Sequence, residues 1–483
     1  MALPFKLTKK NLLIAGGSLA ALFLILGVVY YFTLPKKQVV DQPITLTFWG
    51  VFDTKDMIQP LIDAYNKSDT ATTKSQIDTF KKKRANVTIE YVQKPIDGYE
   101  KALKDAFAAG AGPDIFQIHN TDVVRYQEFI TPLPAGKTAL INEFFDVVEK
   151  DAVLNNQIYG LPLSVDSLAL YYNKRLFQKA GITNPPRTWT DFNTAVQKLT
   201  QLDAAGKFIQ SGAAIGGSTG TINRATDILS LLWLQQGTLV TDLNKNTLVL
   251  DQKSQNTAGV EVEKPGLEGL NQYLKYAKPL EPVYTWNESQ SYSFDEFAQE
   301  KVAMIFSYAY ALPTIRGKNP KMQFGIVPAP QIADSRVNVT FANYWLNTPS
   351  KQGKNTDAAW DFITFATNAE NDKLYSSLAN KPVSRRGLVN AELNDADLGS
   401  FAQQNLYATS WYQFDATQNE LAMNALLKDI LSGKATVESA YATALSKITE
   451  GVNLGQELQQ RVADAAAAAE AKKKAEESNT IKK

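Results

Sequence analysis

The sequence predicts an α/β fold built on a parallel sheet, and residues 44–118 carry the evidence. Apolar residues that alternate along the chain predict strands over 44–49, 87–92 and 114–118. Between them, apolar residues at helical spacing predict helices over 55–66 and from Tyr99 towards Gly110. A chain that alternates strands and helices in this way forms a parallel sheet with right-handed crossovers.

Such a sheet also predicts where a ligand binds. In open α/β sheets, ligands lie beyond the carboxyl ends of the strands, at the point where the strand order reverses. If the first three strands are ordered 2-1-3, Trp49 at the end of strand one and His119 and Asn120 at the end of strand three are neighbours there. We therefore expect all three near a ligand. For His119 alone, a structural hydrogen bond at the strand end is slightly favoured.

The composition excludes several kinds of site. The chain has 44% hydrophobic and 20% charged residues, typical of a globular protein, and its net charge of +1 gives no footprint for nucleic acid. It has no cysteine and a single histidine, which excludes disulfides, thiolate metal sites and two-histidine motifs. The Gly-rich stretch 211–221 lacks the lysine of a P-loop and the G-x-G-x-x-G spacing, so it predicts a flexible cleft loop. We expect no cofactor and no metal.

The N-terminus predicts a membrane anchor. Residues 11–34 contain no charged side chain and are long enough to cross a bilayer with some tilt. Lys6, Lys9 and Lys10 place residues 1–10 in the cytoplasm, and residues 35–43 form a linker. A cleaved signal peptide is the alternative, but the apolar run is long and no small-residue cleavage site follows it. We expect a single-pass anchor in the cell membrane, with the remaining chain on the extracytoplasmic side.

The most specific pattern lies in residues 158–200. It contains YGLP at 159–162, LALYYNK at 168–174, a helix stop at Gly181 and TW at 188–189, where Thr188 and Asp191 form a capping box. This order resembles the extracellular solute-binding proteins of family 1, the sugar-binding group of ABC-transporter binding proteins that includes maltose-binding protein. FAQEKVAM at 297–304 and KPVSRR at 381–386 are also similar to that family, although Glu300 replaces a glycine of its pattern.

The resemblance covers about residues 44–455 and implies a two-lobed, periplasmic-binding-protein-like fold (type II) with a hinge. Because family members cross between lobes several times, it implies lobe 1 at 44–163 and 346–395, and lobe 2 at 164–345 and 396–455. Residues 456–483 would form a polar helical or disordered tail. The implied protein is a monomer and not an enzyme. It would bind a small molecule, with a sugar or oligosaccharide favoured, between the lobes and deliver it to the permease subunits of an ABC importer.

A sugar cleft needs aromatic faces for pyranose rings and polar groups for hydroxyls. By position in the family pattern, Trp411, Tyr308 and Tyr310 are aromatic candidates. For Trp411 the alternative is packing against the last helices, and one of the two tyrosines is expected to face the core. Asp166 follows the crossing peptide and is a candidate acceptor, unless it serves as a helix cap or hinge contact. Trp345 lies near a hinge crossing and is a further candidate, with the cleft wall and the core as the two alternatives for its ring. Asn223 and Arg224, after the Gly-rich loop, are further candidates.

Other functions stay open at this point. An anchored surface enzyme could act on polysaccharide with a carboxylate pair, although no nucleophile elbow, Ser-His-Asp order or metal-ligand spacing occurs in the sequence. The same fold could instead bind a polyol or phosphorylated polyol, with Arg385 or Arg386 as the partner of the anion. A docking or sensory role is a third alternative.

Overall fold

The computed structural model describes residues 43–68, 84–133, 138–242 and 247–481. The predicted anchor at 11–34, the preceding residues and the linker up to residue 42 lie outside these ranges. Within them, no helix is both long and apolar enough to cross a bilayer.

The main sheet has five strands and follows the predicted order. Strand Ile44–Gly50 lies between Val87–Gln93 and Ile115–His119, and all three run parallel. The order 2-1-3 is therefore confirmed. Strand Trp345–Pro349 then pairs antiparallel with Ile115–His119, and Leu161–Pro162 pairs with its other edge. A segment more than two hundred residues along the chain thus completes the sheet.

This sheet belongs to the first of two hydrophobic cores that the described residues form. Its central residues, such as Leu46 and Phe116, are fully buried. Helices around this core are Lys55–Lys67, Tyr99–Ala108, Val123–Tyr126, Asp146–Ala152, Thr356–Ala366, Ala369–Ala379 and Val389–Glu392.

The second core surrounds an antiparallel sheet in which Ala169–Asn173 lies between Met304–Ser307 and Phe324–Pro328. The predicted capping box is confirmed, since Thr188 accepts from the Asp191 amide and Asp191 accepts from the Thr188 amide. Helices of this half are Lys174–Lys179, Trp189–Leu199, Ala225–Gln235, Pro265–Leu274, Ser293–Ala298, Ala311–Lys318, Gly399–Gln404, Ala416–Leu431 and Val437–Ile481.

A third, smaller sheet lies where the chain passes between the two cores. Strand Thr340–Asn343 pairs with Asp166–Ser167 on one side and with Ala408–Thr409 on the other. Side chains of these segments enter both cores: Ala342 and Ala408 join the first, whereas Phe341 joins the second. Each core is therefore built from separated stretches of sequence. The lobe boundaries given above remain predictions.

Four short hairpins pair Val153–Leu154 with Gln157–Ile158, Gln201–Leu202 with Phe208–Gln210, Thr241–Asp242 with Thr247–Leu248, and Ser254–Gln255 with Glu261–Val262.

The prediction of a flexible loop at 211–221 was wrong. Ala213, Ala214 and Ile215 are fully buried, and the amides of Gly212 and Ala213 donate to Thr285 Oγ1 at 2.8 and 3.1 Å. A Cβ on Gly212 would lie 2.6 Å from the Val196 carbonyl oxygen. The small residues of this stretch therefore allow close approach of two backbones inside the core.

Candidate ligand-binding cleft

A cleft of about 1320 Å³ lies between the two cores. Both cores line it, with Phe52, His119 and Trp345 on the side of the first and Arg224 and Tyr310 on the side of the second. Pockets for drug-sized ligands measure about 300–1,000 Å³. This cleft therefore has room for more than one sugar ring.

The main sheet sets the position of the first wall. His119 ends the strand Ile115–His119, and Phe52 and Asp53 follow the end of Ile44–Gly50. The antiparallel strand places Trp345 directly opposite His119 in the register. The cleft thus lies at the carboxyl ends of the parallel strands, as the strand order predicted.

Aromatic rings stand on both walls. On the first wall, the Trp345 ring meets Phe52 edge to face with centroids 5.3 Å apart, and meets Tyr99 at 6.2 Å. On the second wall, Tyr310 is 45% exposed and its ring stacks at 5.8 Å on the buried ring of Tyr308. Each wall therefore offers an apolar ring supported from behind by another ring.

Most polar groups of the first wall form hydrogen bonds with other side chains. Asp53 accepts from the Tyr375 hydroxyl at 2.6 Å and from Lys381 Nζ at 2.7 Å. Gln117 donates to Asn347 Oδ1 at 3.1 Å and accepts from the Val51 amide at 2.9 Å. Such bonds fix the orientation of a polar wall before a ligand arrives.

His119 is an uncharged polar group at physiological pH. Burial, together with the positive charge of Arg224, lowers the pKa of His119 to about 4. Its Nδ1 lies 2.7 Å from Thr121 Oγ1. A neutral imidazole both donates and accepts hydrogen bonds, which suits contact with a neutral ligand.

Asp166 lies in the chain segment between the cores and lines the cleft. Its Oδ1 accepts from the amides of Ser167 at 2.9 Å and Ala309 at 3.1 Å. These bonds tie the crossing segment to the second wall and hold the carboxyl group at the cleft.

On the second wall, Arg224 and Asp227 form a paired unit. Arg224 Nε donates to Asp227 Oδ2 and Nη2 to Oδ1, both at 2.8 Å. The Tyr308 hydroxyl donates to the same carboxylate at 2.5 Å. Nearby, Asn223 Oδ1 accepts from the hydroxyls of Tyr310 at 3.1 Å and Ser307 at 3.2 Å.

The structure places the predicted site residues in two groups. His119, Asp166, Tyr310 and Trp345 line the cleft, together with Arg224. The others lie elsewhere: Trp49 packs under Lys94, whose Nζ is 3.8 Å from the ring; Asn120 donates to Asp151 Oδ2 at 2.7 Å; Asn223 and Tyr308 lie behind Tyr310. Their roles in binding remain predictions.

Trp411 requires a correction. The family pattern implied a ring that stacks on the ligand, but the side chain is fully buried in the second core. Its indole N–H donates to Ser230 Oγ at 3.1 Å. A buried tryptophan whose N–H has found a partner is stable in the core, so the structure assigns this ring to packing.

The two arginines proposed as partners of an anion also lie elsewhere. Arg385 donates to Glu143 and to the Thr367 carbonyl, and Arg386 donates to Asp146 and to the Phe144 carbonyl. Neither lines the cleft. The phosphorylated-polyol alternative therefore loses the cations on which it depended.

Sequence reasoning missed several cleft residues. Phe52 and Asp53 lie just past Trp49, so following the strand end a few residues further would have found them. Asp122 follows His119 in the same way. Asp227 and Glu420 lie on helices from distant parts of the chain, and no local pattern marks them.

We expect an unusual pH dependence of stability from Asp166. Burial raises the pKa of Asp166 from its ordinary 3.8 to about 7. Between about pH 4 and 7 the folded protein therefore keeps a proton that the unfolded chain has released, so this group lowers stability as pH rises through that window. Urea unfolding at pH 5 and pH 7.5 measures this effect. Between these two pH values, the free energy of unfolding is expected to fall less in Asp166→Asn than in the wild type.

The control is Asp334→Asn. Asp334 is exposed, and its positive φ of 58° suits asparagine equally well. The free energy of unfolding of Asp334→Asn should change between the two pH values as it does in the wild type. Equal pH dependence of Asp166→Asn and wild type would contradict the assignment of a raised pKa to Asp166.

Comparisons with known proteins agree on one family and one fold. The sequence model of a family described as bacterial extracellular solute-binding protein matches residues 64–373. A maltodextrin-binding protein of Bacillus subtilis is 25% identical over 402 residues, covering 79% of this chain and 88% of that protein. A multiple sugar-binding protein of Streptococcus mutans is 23% identical over 322 residues, covering 66% and 73%.

Solved structures show the same architecture. A cyclo/maltodextrin-binding protein complexed with maltotetraose superposes with a TM-score of 0.66 at 17% identity, covering 86% of this chain and 99% of that one. The sugar-binding protein MalE of Xanthomonas citri gives 0.67 at 15% identity, with coverage of 86% and 99%. These likenesses show the two-lobed, periplasmic-binding-protein-like fold that the sequence predicted.

Proposed function

Because the chain belongs to the bacterial extracellular solute-binding protein family, we propose that it captures a sugar or oligosaccharide in this cleft for an ABC importer. Members of the family are binding proteins, so the prediction that the chain is not an enzyme is confirmed. The observation that carries the choice of ligand is the pair of aromatic walls, with Trp345 and Phe52 on one side and Tyr310 on the other.

The chemistry of the two walls suits a saccharide. Pyranose rings have apolar C–H faces that lie against aromatic rings, and hydroxyl rims that need donors and acceptors. Trp345 and Tyr310 supply the rings, while Asp166 and His119 supply polar groups that line the cleft.

The names of relatives support the same ligand class. The Bacillus subtilis relative is a maltodextrin-binding protein and the Streptococcus mutans relative a multiple sugar-binding protein. Together with the cleft volume of about 1320 Å³, they favour an oligosaccharide over a single small polyol.

Capture proceeds by closure of the two lobes around the ligand. A ligand that contacts both walls binds the closed form better than the open form, and so shifts the population towards closure. The segments 165–168 and 340–344, which join the cores through the small sheet, serve as the hinge. The closed form is then the one that the permease subunits recognise.

We also propose that the protein stays attached to the cell membrane through residues 11–34, with its lobes on the extracytoplasmic side. The stretch has no charged residue and follows three lysines. The chain has no cysteine that could be attached to a membrane lipid, so an uncleaved helix would anchor the protein instead. Fractionation of cells that express the chain with and without residues 11–34 tests this part.

Thermal melting of the full chain in mild detergent tests the ligand class. We expect a clear rise in Tm with at least one of maltose, maltotetraose, raffinose and stachyose, and none with sorbitol 6-phosphate. A ligand at 100 times its Kd stabilises a protein by about 2.7 kcal/mol, which is readily measured. Unchanged Tm with every saccharide would contradict a sugar-binding role. Chromatography of the same incubations should recover each sugar intact, as expected of a binding protein.

A further inference from the structure

Arg224 has a backbone conformation that its residue type does not favour. Its φ of 57° and ψ of 34° lie in the left-handed region, directly before the helix Ala225–Gln235. The Cβ of a long side chain disfavours this region, which glycine and asparagine adopt more readily. Among the residues that line the cleft, Asn380 also has a positive φ, but asparagine tolerates it. Such outliers persist where the surrounding structure holds them, often at binding sites.

The guanidinium of Arg224 is held in one orientation. Two of its nitrogens bond the Asp227 carboxylate, which is itself buried and also accepts from the Tyr308 hydroxyl. The guanidinium carbon lies 5.9 Å from the centroid of the Tyr308 ring. Burial alone would lower the pKa of Arg224, but the charge of Asp227 raises it well above its usual value. The side chain is thus charged, and its orientation is fixed by the Asp227 carboxylate.

One nitrogen of this guanidinium is free to meet a ligand. Nη1 of Arg224 makes no hydrogen bond to any residue in the ranges that the structure describes, although Nε and Nη2 are both engaged. The side chain is 25% exposed and lines the cleft. The N–H groups of Nη1 are therefore donors that a bound molecule can use.

The neighbours of Arg224 suit a sugar hydroxyl. The exposed ring of Tyr310 stacks on Tyr308, the ring beside the guanidinium. Glu420 also lines the cleft, and its charge acts on Arg224. A donor and an acceptor beside an aromatic face match the hydroxyl pair and apolar face of one pyranose ring.

The charge of Arg224 is balanced before a ligand arrives. Asp227 pairs with it in two-point geometry, and the carboxyl group of Glu420 also lines the cleft. A hydroxyl group can accept from Nη1 without any need for net positive charge. An anionic group would gain little from a neutralised arginine and would meet nearby carboxylates.

We propose that Arg224 is a specificity-determining residue whose Nη1 donates to a hydroxyl of the bound saccharide, while Asp227 cancels its charge so that neutral saccharides bind better than anionic ones. This inference rests on the proposed function, because it assigns a role within the same cleft.

Calorimetric titration of the full chain tests it with neutral sugars (maltose, maltotetraose, raffinose and stachyose) and with maltose 6′-phosphate as the anionic probe. The wild type is expected to prefer the neutral sugars at least tenfold. In Asp227→Asn the charge of Arg224 is no longer cancelled, and the preference should fall by about tenfold. In Arg224→Asn, a residue that tolerates the left-handed backbone, affinity for neutral sugars should fall at least tenfold, as expected for a lost bond to a charged donor.

The matched control is Asp397→Asn. Asp397 accepts from Arg316 through two bonds of 2.6 and 2.7 Å, and neither residue lines the cleft. This variant should keep the wild-type preference. A melting curve for each variant confirms that it is folded.

The possible outcomes separate two failures. If Asp227→Asn and Arg224→Asn weaken neutral and anionic probes by the same factor, the pair is structural and the inference on specificity is overturned. The same holds if neither affinity changes. If the wild type binds none of the neutral sugars, the proposed function itself fails, and the role of Arg224 falls with it.

Discussion

Replacing Asp361 with alanine is expected to lower the free energy of unfolding by about 3–5 kcal/mol, the usual cost of removing one partner from a buried ion pair. Asp361 lies on the helix Thr356–Ala366, and its side chain is 0% exposed. It accepts from Arg84 Nε at 2.7 Å and Nη2 at 2.9 Å, and from the Tyr65 hydroxyl at 2.9 Å. Alanine would leave the Arg84 charge, whose side chain is 3% exposed, without its carboxylate.

This cluster joins distant parts of the chain in the first core. Tyr65 lies in the last turn of the helix Lys55–Lys67, Arg84 precedes the strand Val87–Gln93, and Asp361 is far along the sequence. The Arg84 guanidinium also lies over the rings of Tyr65 and Phe365, at 5.2 and 4.9 Å. Loss of Asp361 therefore weakens the contact between the helix Thr356–Ala366 and the helix Lys55–Lys67.

Urea unfolding of the full chain, followed by tryptophan fluorescence, measures the change. The control is Asp397→Ala, which removes the carboxylate of a solvent-exposed pair with Arg316 and should cost about 0–1 kcal/mol. A loss below about 1 kcal/mol for Asp361→Ala would show that the buried cluster contributes no more than an exposed pair.

Replacing Trp345 with alanine is expected to weaken sugar binding at least tenfold, which corresponds to about 1.4 kcal/mol. The ring forms part of the first wall, and it packs against Phe52, Tyr99 and His119. Its removal deletes an apolar face for the sugar and leaves the Phe52 ring without its edge-to-face partner. Large aromatic side chains at the centre of a binding surface commonly contribute most of the binding energy.

Trp49→Ala is the matched control. Trp49 lies at the end of a strand in the same sheet, but Lys94 covers its ring and it does not line the cleft. Calorimetric titration with the saccharide that gives the largest Tm shift should show wild-type affinity for Trp49→Ala. Similar losses of affinity in both variants would mean that the effect comes from the stability of the sheet. A loss of less than tenfold in Trp345→Ala would show that the Trp345 ring does not contact the sugar.

Features with a local cause were predictable from the residues alone. The capping box at Thr188 and Asp191 depends on two side chains three positions apart, and it was read correctly. The strand order 2-1-3 and the position of His119 at the cleft follow from the alternation of strands and helices. The family followed from the pattern in residues 158–200, since that pattern retains the order and spacing of a whole supersecondary unit.

Features that depend on contacts between distant segments were decided by the tertiary structure. Trp345 and Trp411 are both tryptophans in apolar surroundings, yet one lines the cleft and the other is buried beside Ser230. Asp227 shows no pattern in the sequence, and its role depends on Arg224 and on Tyr308 far along the chain. Hydrophobic periodicity indicates which side of a helix or strand is buried. It does not indicate which residues of other elements that side will contact. The cleft is formed by contacts between such elements, because each core is assembled from stretches that are separated in sequence.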